Sequence, residues 1–145
     1  MGMHNKSELL NRVANSPDVI RGIAPGYLAI DLKAFFDDPS NIMIGDDRGV
    51  VLFIPKAPGH YDMHYLLTNS LRGPAALRAI KAAISELFTY HDACVITGST
   101  PRENLAARRM NRALGGRPYG VSVDSQGRDC IDYVLERAKW VPYLH

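Results

Sequence analysis

The chain of 145 residues is poor in the features that narrow a function fastest: two cysteines, one tryptophan, no long apolar run and no surplus of one charge. Each scarcity excludes something. Cys94 and Cys130 alone cannot form a disulfide framework, and no metal-ligand spacing surrounds either of them. Both fall in apolar, strand-like runs, which predicts buried, reduced thiols. No stretch approaches the roughly eighteen apolar residues of a membrane-crossing helix, and the opening MGMHNKSELL lacks the apolar core of a signal peptide. A soluble, cytoplasmic protein with no membrane partner is expected. Seventeen basic against fifteen acidic residues leave a net charge of +2, too little to indicate nucleic acid on bulk charge. With 46% apolar and 22% charged residues, the composition is that of an ordinary globular domain able to bury a core. No repeat, low-complexity tract or long linker divides it. One domain is therefore expected over 1–145, with 1–26 as an N-terminal helical segment and 27–140 as the core.

What is there is a succession of turn signals and periodic apolar stretches. Ser7 to Val13 reads as a short helix with Ser7 as N-cap and Leu9, Leu10 and Val13 on one face. Ser16-Pro17-Asp18 restarts a helix through Val19 and Ile20, with proline at its tolerated first position. Tyr27 to Leu32 reads as the first strand, and Leu32 to Phe36 adds a helical turn before Asp37-Asp38-Pro39 ends it. Asn41 to Ile44 and Val50 to Ile54 form a hairpin signal across Gly45-Asp46-Asp47-Arg48-Gly49. Pro55 to Gly59 is a second turn, followed by a strand from Tyr61 to Leu67. Leu71-Arg72-Gly73-Pro74 breaks that strand and starts a long helix, whose apolar stripe is Leu77, Ile80, Ile84, Leu87 and Phe88.

The stretch from Ala93 to Gly116 is the most informative. Cys94, Val95 and Ile96 are a short β-prone run, which Gly98, Ser99, Thr100 and Pro101 break. Asn104, Ala107, Met110, Ala113 and Leu114 recur at helical spacing, with Met110 in a core stripe, and Gly115-Gly116 supply a left-handed stop. Arg102, Arg108, Arg109, Arg112 and Arg117 fall within sixteen residues. They read either as a solvated helix face or as a patch for phosphate groups. No aromatics interleave with them, which argues against a nucleic-acid module. Tyr119 to Val123 and Cys130 to Leu135 close the chain as a hairpin, with Trp140 as a packing anchor. The order is that of a mixed α/β domain.

Strand, glycine-containing turn, long helix, strand, and an Asn-led helix ending in Leu-Gly is an order that resembles the GNAT superfamily of N-acetyltransferases. The resemblance extends from about Tyr27 to about Trp140. The wording is similar to small GNAT-like proteins of tailed bacteriophages and prophages. It rests on Tyr61-Asp62-Met63-His64, Arg72-Gly73, Phe88-Thr89, Thr100-Pro101-Arg102-Glu103-Asn104, Ala107 and Leu114-Gly115. The resemblance implies an acyl-CoA N-acyltransferase fold: a central, mostly antiparallel sheet with helices on both faces and a splayed strand pair, Met63 to Thr68 beside Ala93 to Gly98. It further implies acetyl-CoA as the acyl donor, with Leu67, Thr68, Arg72, Gly73, Ala75, Ala76 and Asn104 contacting it and a primary amine as acceptor.

Against the family's pattern the residues divide. The phosphate turn, Gln/Arg-x-x-Gly-x-Gly/Ala, fits in neither register: from Arg72 both glycine sites are lost, and from Ser70 the Gln/Arg is serine. Pro74 also removes one N–H from the turn, leaving Arg72 to compensate by direct charge. The tyrosine that acts as acid seven residues after the asparagine is Asn111, and the aromatic that follows Leu-Gly is Gly116. Tyr119 is the stand-in for either. Asp62 and His64 are the candidate bases, two apart on one face of a strand, while His64 also reads as a hydrogen-bonded residue of a half-buried strand. His60 would share that face in an extended chain, but Pro58-Gly59 places it in the turn, so no metal site is expected. Asn104 caps its helix, touches ligand, or does both. Two functions follow: N-acetyl transfer to an amine, or a degenerate GNAT fold serving as a binding or structural protein with a protein assembly partner. The second would be phage-encoded and virion-associated.

Overall fold

The computed structural model describes residues 3–140. Helix α1 spans Met3–Ala14 and α2 spans Pro17–Ile23, followed by a 3₁₀ turn at Lys33–Asp37. Strands β1 (Ile42–Asp46), β2 (Gly49–Ala57) and β3 (His60–Leu67) lead into α3 (Gly73–Tyr90). Then come β4 (Val95–Pro101), α4 (Leu105–Ala113), β5 (Arg117–Val123), β6 (Asp129–Glu136) and the short α5 (Arg137–Trp140). The strands are ordered β1-β2-β3-β4-β6-β5. β1/β2, β4/β6 and β5/β6 pair antiparallel, and β3/β4 pair parallel, so the sheet is mixed and mostly antiparallel with flanking helices. No helix among the described residues is long and apolar enough to cross a membrane.

Contacts group the chain into two compact units. One comprises the chain up to Ile54 together with His64–Ile80; the other comprises Pro55–Met63 together with the chain from Lys81 onward. In the first, Leu10, Val13 and Ala14 of α1 and Val19 of α2 cluster with Val50, Leu52 and Leu66. The second buries Ile84, Leu87, Ile96 and Trp140. Trp140 is the expected anchor: its ring lies 6.3 Å from that of Phe88, and Nε1 donates to Ser85 Oγ at 3.1 Å.

Several expectations change. α1 begins at Met3, ahead of the predicted Ser7 cap, because the helix formers Lys6 and Glu8 belong to it. Pro17 does open α2 as expected, and the Ser16 Oγ before it donates back to the Val13 carbonyl at 2.6 Å. Tyr27 to Leu32 is not a strand. Its backbone is satisfied by two asparagines of the preceding helical segment: Asn15 donates to the Ile30 carbonyl and accepts from the Ile30 N–H, both at 2.8 Å, and Asn11 accepts from the Leu32 N–H at 2.7 Å. Ile30 and Leu32 pack on the first unit's cluster, while Leu28 is fully exposed. With the Ile30 and Leu32 backbone already paired and Leu28 open to solvent, the segment has no need of a sheet neighbour.

The second turn is shorter than predicted. β2 runs on to Ala57, the turn is Pro58-Gly59 with Gly59 at φ +75, and His60 is the first residue of β3 rather than part of the turn. β4 likewise continues through Gly98, Ser99, Thr100 and Pro101, because β6 supplies a rung to every one of them, ending with Pro101 opposite Cys130. The proline stands at the last rung, where a missing N–H costs least. Of the two thiols, Cys130 is buried and Cys94 is exposed just before β4 begins, against the expectation that both are buried. Burial, reinforced by the Asp124 carboxylate, pushes the Cys130 thiol up.

Candidate functional site

The parallel pairing of β3 with β4 is brief: His60, Tyr61 and Asp62 stand opposite Val95, Ile96 and Thr97, and the register ends there. β4 continues to Pro101 with β6 alone as its paired neighbour, so its other backbone edge leaves the sheet from Gly98 onward. Gly98 marks the exit. A Cβ there would stand 3.3 Å from the Met63 carbonyl oxygen, so a side chain would crowd the backbone at that point.

Asp62 stands on the last rung. Register puts Asp62 and Thr97 side by side, and Thr97 Oγ1 donates to Asp62 Oδ1 at 3.4 Å. The same hydroxyl lies 2.7 Å from His60 Nε2. A hydroxyl has one proton to give; with it directed at Asp62, His60 must donate from Nε2, which fixes its tautomer. Lys56 Nζ lies 4.0 Å from Asp62 Oδ2 and completes the group. His64, two residues further along β3, is exposed. Among the described residues no three His, Cys, Asp or Glu side chains are grouped to hold a metal ion.

A second hydroxyl–carboxylate set lies across β4, β6 and β5. Asp132 Oδ1 accepts from Ser99 Oγ at 2.6 Å and from Ser122 Oγ at 2.7 Å, and register places Ser99 opposite Asp132. Tyr119 sits at the irregularity between Pro118 and Gly120. It is 58% exposed, yet partial desolvation, followed by the negative charges of Asp132 and Asp62, pushes its phenol above its usual range. Tyr119 thus lies in the field of Asp62, which sequence spacing left undecided. Thr97, Ser99 and Asp132 were missed altogether; the one trace of them is the alternation Thr97-x-Ser99, and its meaning depends on register.

At the start of α3 the side chains named for the coenzyme are largely engaged. Thr68 holds the β1–β2 turn, its hydroxyl donating to the Arg48 carbonyl at 2.7 Å and its N–H at 2.9 Å. Arg72 donates to Asp18 Oδ2 at 3.3 Å and to Asn69 Oδ1 at 3.0 Å. Leu67 and Ala75 are half-buried and Ala76 is buried. What the turn offers is backbone. Gly73 takes φ +60, a Cβ on it would meet open space, and no acidic residue stands in the first turn of the helix. Its N–H, with those of Ala75 and Ala76, is a donor set for an anion at a helix N-terminus.

On α4, Asn104 is the N-cap, its side chain accepting from the Ala107 N–H at 3.1 Å. Asn111, in the tyrosine position, is buried and donates to the buried Thr100 hydroxyl at 2.8 Å. The inward face therefore includes Asn111, and Ala113 faces out. The helix ends in a Schellman arrangement, with the Gly116 N–H donating to the Asn111 carbonyl and the Gly115 N–H to the Arg112 carbonyl, both at 2.9 Å. Gly115 takes the left-handed φ of +88. A Cβ on Gly116 would come within 2.9 Å of the Asn111 carbonyl oxygen, so this closure excludes the family's aromatic.

The architecture has counterparts among solved structures. Aminoglycoside acetyltransferase AAC(6')-Ib in complex with coenzyme A and kanamycin aligns over 98% of this chain and 95% of its own, with a TM-score of 0.74 at 18% identity. A GNAT-family acetyltransferase from Bacillus anthracis aligns over 92% and 90%, with a TM-score of 0.69 at 17% identity. Ribosomal-protein-S5-alanine acetyltransferase from Vibrio fischeri aligns over 63% of this chain, with a TM-score of 0.56 at 18% identity, and the chain spans only 55% of that protein. No protein-family model matches the chain, and no curated protein matches it in sequence. The fold is that of the GNAT acetyltransferases.

Proposed function

We propose that this chain binds an acyl-coenzyme A and transfers its acyl group to a primary amine. The observation that carries the reading is the fold, aligned over 98% of the chain with an acetyltransferase bound to coenzyme A. The residues fit such a ligand at α3: the N–H groups of Gly73, Ala75 and Ala76 suit its phosphates, with no acidic residue in that turn to repel them. Transfer requires that a C–N bond form and the C–S bond break, that the attacking ammonium lose a proton and that the leaving thiolate gain one. Asp62, held by Thr97, is the proton acceptor; His64 is the solvent-side alternative two residues on. Tyr119 is the proton donor. A phenol is protonated at neutral pH, which is the form an acid needs, and the upward direction of its shift leaves it so.

A second reading is supported by two particular observations. Asn111 is committed to Thr100 where the family's tyrosine would stand, and Arg72 is neutralised by Asp18. A chain that keeps the fold for a binding or structural role would show the same features. Titration with acetyl-CoA separates the two. Saturable binding and a raised melting temperature support transfer, and no stabilisation at millimolar ligand rejects it, since a ligand that binds the native state must raise apparent stability. With an amine panel, coenzyme A release is best followed by chromatography, because the exposed Cys94 would react with colorimetric thiol reagents. Asp62→Asn should lower turnover by about a hundredfold or more with little change in coenzyme affinity. Turnover unchanged in Asp62→Asn but lost in His64→Ala would move the base to His64.

A further inference from the structure

The arginines of this chain are not alike. Arg48, Arg72, Arg117 and Arg128 each stand against a carboxylate, of Asp46, Asp18, Glu136 and Asp124 respectively. Arg108, Arg109 and Arg112 of α4 have no carboxylate partner among the described residues. Positions 108 and 112 are four apart, where like charges repel and weaken a helix. Arg112, in the last turn of α4, suits the helix dipole, but the 108/112 repulsion gains nothing from within the helix. Together with the half-exposed Leu105 the three arginines line a cleft of about 180 Å³.

Arg108 carries a second and independent signal. Its Nη1 donates to the Arg102 carbonyl at 3.1 Å, which holds the guanidinium in place. Its Nε is buried and has no acceptor among the described residues. A buried donor on a charged group that lacks an acceptor is uncommon and costly, and its presence calls for a partner. The guanidinium fork matches oxyanions, phosphate above all.

We propose that Arg108, Arg109 and Arg112 form a binding site for the phosphate group of a small phosphorylated ligand. A nucleic-acid strand is the less suitable occupant, because among the described residues Leu105 is the only apolar side chain lining the cleft and it offers no ring on which a base can stack. The site does not depend on the coenzyme reading, whose phosphate donors are the amides at the start of α3.

The test is titration of the full chain with inorganic pyrophosphate at constant ionic strength, followed by calorimetry and by the arginine Nε–H resonances in ¹⁵N spectra. Saturable binding that shifts the Arg108, Arg109 and Arg112 resonances is expected. Arg109→Glu and Arg112→Glu should each weaken it about tenfold or more, as loss of a charge-assisted contact implies. Arg108→Lys keeps the charge and loses the fork, and should also weaken it. Circular dichroism of the variants should show the helix retained. Shifts confined to the α3 amides, affinity unchanged in Arg109→Glu and Arg112→Glu, or no saturable binding would each overturn the site. A single-stranded oligonucleotide that binds with a steep salt dependence where pyrophosphate does not would overturn it in favour of diffuse attraction to a polyanion.

Discussion

At the start of α3 the side chains are engaged and the backbone is open, whereas on α4 the backbone is closed and the side chains are open. Arg72 and Thr68 bind Asp18, Asn69 and the Arg48 carbonyl, leaving the amides of Gly73, Ala75 and Ala76 as the feature a ligand can use. On α4 the Asn104 side chain takes the Ala107 N–H and the glycine pair closes the far end, so the arginines carry the unsatisfied capacity. Both segments contain arginine after a strand. What makes one of them spare and the other occupied is a carboxylate brought in from a distant part of the chain, Asp18, while none among the described residues is brought to α4. An arginine is a ligand-binding residue only as far as its tertiary neighbours leave it unpaired.

The comparison can be broken most forcefully at Asn111. If α4 is held by a buried polar pair, Asn111→Leu, which leaves the Thr100 hydroxyl buried without this partner, should cost about 1–3 kcal/mol in urea denaturation. A variant as stable as the parent would mean that the tyrosine position has been vacated without structural consequence. Next is the cap. Asn104→Ala should cost about 1 kcal/mol. Because this cap is an amide, its contribution should persist in acid, where carboxylate contributions fade. Asp31, Asp38, Asp46 and Asp124 are each held below the usual carboxylate range, Asp31 chiefly by the Lys33 N–H, Asp38 by the Ser40 hydroxyl, Asp46 by Arg48 and Asp124 by the Arg128 N–H. Their stabilisation is present above about pH 4 and is lost as pH falls through those lowered values. Melting temperature should therefore drop as the pH is taken below about 4, by the same amount in the parent and in Asn104→Ala; a smaller drop in the variant would assign the acid sensitivity to the cap.

The smallest effect sharpens the α3 side. Arg72 and Asp18 form a partly exposed pair, so Asp18→Asn should cost less than about 1 kcal/mol. It should release Arg72, and acetyl-CoA should then bind several-fold more tightly in calorimetry. Equal affinity in parent and variant would show that Arg72 takes no part in coenzyme binding even when free.

Much of the fold was legible because it depends on local chemistry. Pro17 at the first position of α2, the Asn104 cap, the Gly115 stop and the stripe of Ile80, Ile84, Leu87 and Phe88 each act within a few residues of themselves. Tyr27 to Leu32 was misread because β-prone residues cannot announce that Asn11 and Asn15 will satisfy their backbone. Pro101 was misread as a breaker because a proline on the last rung of a strand is harmless once β6 lies alongside. At the candidate site, Asp62 was visible as an acid on a strand. Thr97, Ser99 and Asp132 were not, since cross-strand register joins residues far apart in the chain.

By itself the amino-acid sequence determined the two N-terminal helices and the order of elements from the first hairpin to the last strand, because apolar period, caps and turn residues act over one or two turns of chain. It also placed Asn111 and Gly116 where the GNAT resemblance implies an acid and an aromatic. Only tertiary structure decided what became of those positions and of the arginines. Asn111 is a buried partner of Thr100, Gly116 is pressed against a carbonyl oxygen, and Arg72 stands against a carboxylate while Arg108, among the described residues, does not. The reason is physical: hydrogen bonds and ion pairs depend on which groups lie within a few ångströms, and for residues distant in sequence that is settled only when the chain has folded.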